Sequence, residues 1–380
     1  MRATVSFESK PATEESLQCT LGSRNARRMK FRYAAVIVQS FFLAATLDTA
    51  TGATISDLYI FGDSLSDPGN NAIRFGSTAT ATPPFNVTLQ SDITGNTFIP
   101  TYPYPYATSY QYTNGNVWAY QFATLLGLPS AVAGPVLGIV PGAHNYASAG
   151  AATGPLNNPG PVPSLLTQTG SFVASLGSAP APANALYVVA GGGNNARTAM
   201  TAILSGSNPA ATIVETASQF AADIGSIVDT LQAKGAENII VWTAPNLGLS
   251  PAITANGPTA ASLATTLTYS MNAALAARLA SETDVRTFDF FGLITSVNAN
   301  PGAYGLTNAS DAGGAIPGAD LSTYLCWDGV HPTAAGHAIL AQSMYDFTTV
   351  PEIDPGGARS VLALVVGCLS LIERRRLRSI

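Results

Sequence analysis

The chain has 380 residues, of which 47% are hydrophobic and 10% are charged, a balance that excludes an intrinsically disordered protein. The net charge is −5, and residues 54–350 contain only five Lys or Arg side chains against fifteen Asp or Glu side chains. A nucleic-acid-binding face needs a concentration of positive charge that this middle section lacks. We therefore expect a globular protein with no nucleic-acid partner.

The first 53 residues have the layout of an export signal. A basic group at 27–32 precedes an apolar run at 34–47, and small residues follow at 50–53. The apolar run is too short to cross a bilayer, and this order is typical of a leader that signal peptidase removes. We expect cleavage after Ala53 and a secreted or envelope-associated protein, with Met29 as a candidate start. A buried amphipathic helix is the alternative.

Residues 54–350 form one predicted domain, in which short β-branched runs alternate with longer Ala- and Leu-rich helical patterns. Such alternation is typical of βαβ units, so we predict a three-layer α/β/α sandwich around a parallel sheet. The predicted strands are Asp57–Asp63, His144–Ala147, Ala185–Ala190, Asn238–Thr243 and Val285–Phe290. The predicted helices are Val117–Leu126, Val214–Lys234 with Thr212 as a possible cap and Gly235 as its stop, Leu263–Ala280, and one around Thr333–Phe347.

Three loops interrupt this alternation, at 76–116, 154–163 and 300–319. The first is long and rich in Tyr and Pro, and loops of this length inside a domain are often functional. Its aromatic residues could form the floor of a substrate cleft, with the other two loops completing the rim. An ordered surface loop without a ligand is an equally good interpretation.

A candidate nucleophile follows the first strand. The apolar run 57–61 leads directly into Gly62-Asp63-Ser64-Leu65-Ser66-Asp67, and Gly62 permits a tight turn. Ligands of doubly wound sheets bind at the carboxyl ends of the strands, where Ser64 is predicted to lie. The alternative is that Ser64 only caps a helix.

A candidate general base lies near the end of the domain, in Trp327-Asp328-Gly329-Val330-His331-Pro332. Asp328 can fold back across Gly329 to hold one imidazole nitrogen of His331 while the other nitrogen faces a serine. A solvated turn is the alternative. The two other histidines are interpreted differently, His337 as a helix-surface residue and His144 as a structural one.

Two further turns could supply hydrogen-bond donors to an oxyanion. The strand 185–190 ends in Gly191-Gly192-Gly193-Asn194-Asn195, where Asn194 can donate through its side chain. The segment 145–151 places the backbone N–H of Gly150 in another small-residue turn after a predicted strand. Each turn taken alone could be an ordinary connection.

Taken in order, these segments resemble the GDSL, or SGNH, hydrolase family of secreted esterases and lipases. The resemblance spans residues 57–347. Its four blocks are Phe61–Asp67, Asn145–Gly150, Gly192–Asn195 and Asp328–Thr333.

The resemblance implies a flavodoxin-like α/β/α fold and a serine ester hydrolase acting through an acyl-enzyme. Ser64 would be the nucleophile, His331 the base and Asp328 its orienting carboxylate. The oxyanion hole would consist of the N–H groups of Ser64 and Gly150 and the side chain of Asn194. One departure from the family pattern is Asn195, which stands where the third block usually has Asp, and it leaves open which Asn donates.

The sequence predicts chemistry without a cofactor or a metal, because it lacks nucleotide-binding glycine motifs and a His/Cys cluster with metal-ligand spacing. The single thiol of the middle section, Cys326, is either a nucleophile or a small buried hydrophobe. The substrate could be a lipid, a short-chain ester or an acetylated carbohydrate. The alternative function is a non-catalytic surface or matrix protein on a hydrolase scaffold.

The last thirty residues, 351–380, have the order of a sorting tail. Val350–Pro355 precedes an apolar stretch at 360–372, and basic residues close the chain at 374–378. This order favours transient membrane association with the charges inside, and it resembles the PEP-CTERM signals of bacteria that an exosortase processes. The sequence departs from that pattern at Ile353 and in its short apolar stretch. A C-terminal helix packed on the domain is the alternative.

Overall fold

The computed structural model describes residues 55–74, 111–138, 141–156, 158 and 162–349. All of them belong to one unit of the chain, Gly52–Ile380. The predicted leader at 1–53 and tail at 351–380 lie outside the described residues, and so do 75–110 of the Tyr- and Pro-rich loop and parts of the loop at 154–163.

A parallel sheet forms the centre of the domain. Its strands are β1 (Asp57–Gly62), β2 (Ala185–Ala190), β3 (Asn238–Trp242) and β4 (Val285–Phe288), in the spatial order β1-β2-β3-β4. β2 is buried along its whole length. A strand that is covered on both faces has a continuous apolar sequence. The sequence therefore predicts this strand with its observed bounds.

Helices cover both faces of the sheet, so the predicted α/β/α fold is confirmed. The α-helices of the described residues are α1 (Asn70–Arg74), α2 (Trp118–Leu125), α3 (Leu165–Leu176), α4 (Gly193–Leu204), α5 (Pro209–Ala233), α6 (Pro251–Thr254), α7 (Pro258–Leu279), α8 (Phe290–Ala299) and α9 (Ala334–Thr349).

Alternate residues of each strand enter two separate hydrophobic cores, because successive side chains of a strand point to opposite faces. On one face, Phe61 and Val189 pack with α3, α4, α5 and α7. On the other face, Ile60 and Val188 pack with α2, α8 and α9. The two cores fix the strand ends, and therefore the loops that carry the candidate site.

The predicted strand at His144–Ala147 is irregular. The segment runs beside β1, where the N–H of Ile60 donates to the His144 carbonyl at 3.2 Å and the N–H of Tyr146 donates to the Ile60 carbonyl at 2.8 Å. Only Asn145 forms a β-bridge. Its side chain holds the backbone in place, because the amide nitrogen donates to the Ser66 carbonyl at 2.8 Å.

Other elements also differ from the prediction for local reasons. α7 begins at Pro258, five residues before the predicted Leu263, because proline suits the first turn of a helix. The cap of α5 is Asn208, whose side chain accepts the N–H of Ala211, and not Thr212, because Pro209 already occupies the first turn. β4 ends at Phe288 because Asp289 caps α8. The loop predicted at 300–319 contains β5 (Asn308–Ala312), which pairs in parallel with β6 (Tyr324–Cys326).

Candidate active site

Ser64 lies in a tight turn directly after the end of β1. The Gln168 side chain clamps Gly62, accepting its N–H at 2.8 Å and donating to its carbonyl at 2.9 Å. A Cβ atom on Gly62 would lie 2.8 Å from the Ala190 carbonyl oxygen, so only glycine fits beside β2 here. The N–H of Ser66 then closes the turn on the Asp63 carbonyl at 3.1 Å.

Ser64, His331 and Asp328 form a continuous hydrogen-bonded set. His331 Nε2 lies 2.8 Å from Ser64 Oγ, and His331 Nδ1 lies 2.7 Å from Asp328 Oδ2. The other Asp328 oxygen accepts the backbone N–H of Val330 at 2.8 Å and that of His331 at 2.7 Å. The structure therefore brings together the three residues that the sequence predicted as nucleophile, base and orienting carboxylate.

Asp328 is fully buried, and burial alone would raise its pKa. The charge of His331 and the hydrogen bonds from His331 and Val330 outweigh burial and hold the pKa of Asp328 below its ordinary value. An ionised Asp328 accepts the Nδ1 proton of His331. The Nε2 lone pair then faces the Ser64 hydroxyl and can take its proton.

A buried carboxylate shapes the turn that contains Gly150. Asp67 Oδ2 accepts the N–H of Ala149 at 2.8 Å, and Gly150 itself has a φ of +83°, a conformation that favours glycine. Asp67 also accepts the N–H of Gly69 at 2.8 Å and that of Asn71 at 3.2 Å. The sequence prediction gave Asp67 no role, although the residue closes the first motif.

Asn194 begins α4, directly after the carboxyl end of β2. Its Nδ2 donates to the Ala151 carbonyl at 2.9 Å, and its Oδ1 accepts from Arg197 Nη1 at 3.4 Å. A carbamoyl group carries two N–H donors, so one remains beyond the bond to Ala151. Gly150 and Asn194 thus follow the two segments that lie on either side of β1.

Asn195 points into a different network. Its Oδ1 accepts the N–H of Thr153 at 3.1 Å, and its Nδ2 donates to Thr153 Oγ1 at 2.9 Å. The Thr153 hydroxyl donates in turn to Asp223 Oδ2 at 2.8 Å. Asn195 therefore joins the loop after Gly150 to α5, and this engagement favours Asn194 as the oxyanion donor.

A family model for GDSL-like lipase/acylhydrolase matches residues 58–344. The chain belongs to this family. No curated protein matches it. Membership of the GDSL-like family implies hydrolysis of esters, and the four predicted sequence blocks all fall within the matched residues.

The GDSL-like domain encloses a buried histidine that the sequence prediction placed wrongly. His337 was predicted on a helix surface, yet it is buried. Its Nδ1 accepts the backbone N–H of Trp118 at 3.3 Å, while the Trp118 indole donates to Ser66 Oγ at 3.0 Å. Burial, with the charge of His331, lowers the pKa of His337 to about 3. His337 is therefore neutral and supports the serine turn through Trp118.

The two remaining candidates, His144 and Cys326, form hydrogen bonds to residues outside the Ser64–His331–Asp328 set. His144 stacks on Tyr59 with ring centroids 4.5 Å apart and bonds to Asp57 at 2.8 Å, which is the structural role that its sequence context suggested. Burial raises the pKa of the Cys326 thiol to about 12, so this thiol is protonated and does not suit a nucleophile.

One aromatic residue from the end of the long loop reaches the site. The ring of Tyr112 lies 5.6 Å from that of His331, and its hydroxyl accepts the Asn71 amide at 2.8 Å. Tyr112 lies within the loop that was predicted to supply aromatic residues to a cleft.

The part of the chain that the structure describes contains neither a metal-ligand cluster nor a helix that could span a membrane. In that part, no three or more His, Cys, Asp or Glu side chains are grouped so that they could hold a metal ion. None of the helices in that part is both long enough and apolar enough to span a membrane.

Proposed function

We propose that the protein is a serine carboxylic-ester hydrolase that works through an acyl-enzyme intermediate on Ser64. The observation that supports this most directly is the hydrogen-bonded sequence Ser64, His331, Asp328, with contacts of 2.8 and 2.7 Å. Family membership supplies the reaction class, and the triad supplies the means of activating the hydroxyl.

In the first half of the proposed reaction, His331 Nε2 takes the Ser64 proton as Oγ bonds to the ester carbonyl carbon. The carbonyl π electrons move to oxygen, and the N–H groups of Ser64 and Gly150 and the Asn194 amide stabilise that oxyanion. As the carbonyl reforms, the alcohol leaves with the proton from His331.

In the second half, water replaces the alcohol. His331 removes a proton from the water as its oxygen attacks the acyl carbon, and collapse of the second oxyanion breaks the bond to Ser64 Oγ. The carboxylic acid departs and Ser64 regains its proton. Asp328 stabilises the imidazolium in both halves and stays ionised.

The test is hydrolysis by the purified protein of a panel of aryl acetate, butyrate, octanoate and palmitate esters, with an acetylated polysaccharide added. Turnover of at least one ester that disappears in Ser64→Ala would support the proposal. A correctly folded protein that hydrolyses none of them would favour the alternative, a non-catalytic surface or matrix protein on this scaffold.

We propose further that the hydrolase domain, 54–350, is exported. The order of basic, apolar and small residues in 1–53 supports removal of a leader by signal peptidase. The acidic, apolar and basic order of 351–380 supports membrane sorting and cleavage by an exosortase-like enzyme. Intact mass of the protein recovered from the native envelope or medium tests both steps, and retention of residues 374–380 on released protein would contradict tail processing.

A further inference from the structure

A small crevice lies beside the proposed catalytic residues. Its volume is about 60 Å³. Three of the residues that line it are chain neighbours of the triad: Leu65 follows Ser64, and Val330 and Pro332 flank His331. The crevice therefore adjoins the turn of the nucleophile and the loop of the base together.

Most of the remaining wall is apolar. The 3₁₀ turn Leu247–Leu249 after β3 contributes two leucines, and α8 contributes Phe290 and Ile294. Leu325 closes the wall from β6. These side chains come from three different segments, two of which follow β3 and β4 at the carboxyl edge of the sheet, where ligands of doubly wound folds bind.

The four polar side chains in the wall all bond to the protein itself. The contacts are Asn246 Nδ2 to Thr295 Oγ1 at 3.2 Å, Asn298 Nδ2 to the Ala309 carbonyl at 3.1 Å, Ser250 Oγ to the Leu247 carbonyl at 2.8 Å, and Cys326 Sγ to the Ala309 carbonyl at 3.9 Å. A hydroxyl or charged group placed here would lose its hydration without gaining strong partners, which costs free energy. An alkyl chain carries no such cost.

We propose, resting on the ester hydrolysis proposed above, that this crevice binds a short alkyl chain of the substrate ester. A single water needs roughly 10–15 Å³ of such space, so 60 Å³ accommodates about four carbon-sized groups. The crevice thus matches short aliphatic esters, such as butyrates or butyl esters.

Leu249 is the residue with which to test this inference. It is half-buried, it ends the 3₁₀ turn after β3, and it is remote in sequence from Ser64 and His331. Leu249→Phe should fill the crevice and lower kcat/KM about tenfold for the ester whose chain the crevice holds, because two methylenes lose their burial. The comparison is an aryl butyrate with the aryl acetate for the acyl side, and butyl acetate with ethyl acetate for the alcohol side. Leu249→Ala should shift the preferred acyl chain towards hexanoate.

The matched control is Leu204→Phe, the same change at an exposed leucine that ends α4 and does not line the crevice. It should leave the butyrate-to-acetate ratio within twofold of the wild-type ratio. Circular dichroism and thermal unfolding establish that each variant is folded, and Leu249→Ala still decides the question if Leu249→Phe does not fold.

Two substrate series distinguish the two ends of the ester. One series varies the acyl chain on a fixed aryl leaving group, and the other varies the alcohol of an acetate. A chain-length effect of Leu249→Phe in one series assigns the crevice to the acyl or to the alcohol side. If Leu249→Phe changes kcat/KM for short and long esters by the same factor in both series, the crevice proposal is wrong while the proposal of ester hydrolysis stands. If the wild-type protein hydrolyses no ester, both proposals fail.

Discussion

His331 Nε2 lies 2.8 Å from Ser64 Oγ, although 267 positions separate the two residues in the chain. The contact joins the carboxyl end of β1 to the loop that precedes α9, and the hydrophobic core shared by β1, α2 and α9 holds both segments. The geometry of the proposed nucleophile and base therefore depends on the packing of the whole domain.

Ser64→Ala should abolish ester hydrolysis, because loss of a triad member typically costs on the order of 10⁴ to 10⁶ in kcat. The fold should survive, since the change removes only one hydroxyl. Steady-state kinetics and urea unfolding measure the two effects separately.

Ser66→Ala is a matched control, two residues along the same turn. Ser66 Oγ accepts the Trp118 indole N–H at 3.0 Å. Removal of the Ser66 hydroxyl leaves this buried indole N–H without its acceptor. We expect a stability cost of about 1–3 kcal/mol with the chemistry retained. A Ser66→Ala variant as inactive as Ser64→Ala would point to a structural role for both serines.

Asp328→Asn should lower kcat by about 10⁴, because an amide in place of the carboxylate favours the wrong tautomer of His331. The variant should keep its overall fold, since an amide oxygen can still accept the N–H groups of Val330 and His331. Stopped-flow or steady-state kinetics at neutral pH test this. A loss of less than tenfold would show that Asp328 does not orient the base.

Asn194→Ala should lower kcat by roughly 10²–10³, as expected for one oxyanion donor. Asn195→Ala should instead lower the free energy of unfolding by about 1–3 kcal/mol, because it leaves the buried backbone N–H of Thr153 without its acceptor. We expect steady-state kinetics to show a defect mainly in Asn194→Ala and urea unfolding to show one mainly in Asn195→Ala. The reversed pattern would move the oxyanion role to Asn195.

Asp67 should make stability depend on pH. Burial raises the pKa of Asp67 to about 6, whereas an unfolded Asp titrates near 3.9. Between these values the folded state holds a proton that the unfolded state releases, so this group lowers the free energy of unfolding as pH rises. This decrease in the free energy of unfolding is absent below about pH 4 and complete above about pH 6.

Asp67→Asn removes that titration. Relative to the wild-type protein, the variant should gain on the order of 2–3 kcal/mol in unfolding free energy between about pH 4 and pH 6. Because the substitution also changes the stability at pH 4, the quantity to compare is the change in unfolding free energy across the interval, measured by urea unfolding. Parallel stability curves for the two proteins would contradict the assignment.

The local sequence was sufficient to predict the ends of elements that are buried along their whole length. β2 is buried on both faces, and its apolar run predicted both of its ends. β4 and α5 were misjudged at their ends because the caps Asp289 and Asn208 decide where the helices begin. Side-chain caps compete with strand and helix propensity over one or two residues, which periodicity does not resolve.

The position of His337 could have been predicted. It shares helical spacing with Leu340, Ala341 and Met344, which lie on the buried face of α9. Histidine is often exposed, so residue type alone favours the surface while the spacing favours the core. The role of Asp67 could not have been predicted, because its bond to the Ala149 N–H links positions 82 residues apart. Such a contact exists only once the sheet has formed.

The most direct test of the central claim is to trap the acyl-enzyme. The wild-type protein is mixed with an aryl ester, quenched in acid within milliseconds, digested and analysed by mass spectrometry, with Asn194→Ala used to slow turnover. We predict an acyl group on Ser64 within the peptide that contains residues 57–74, and none in Ser64→Ala. Ester hydrolysis that proceeds with no acylated peptide, or with acylation at a residue other than Ser64, would contradict the account.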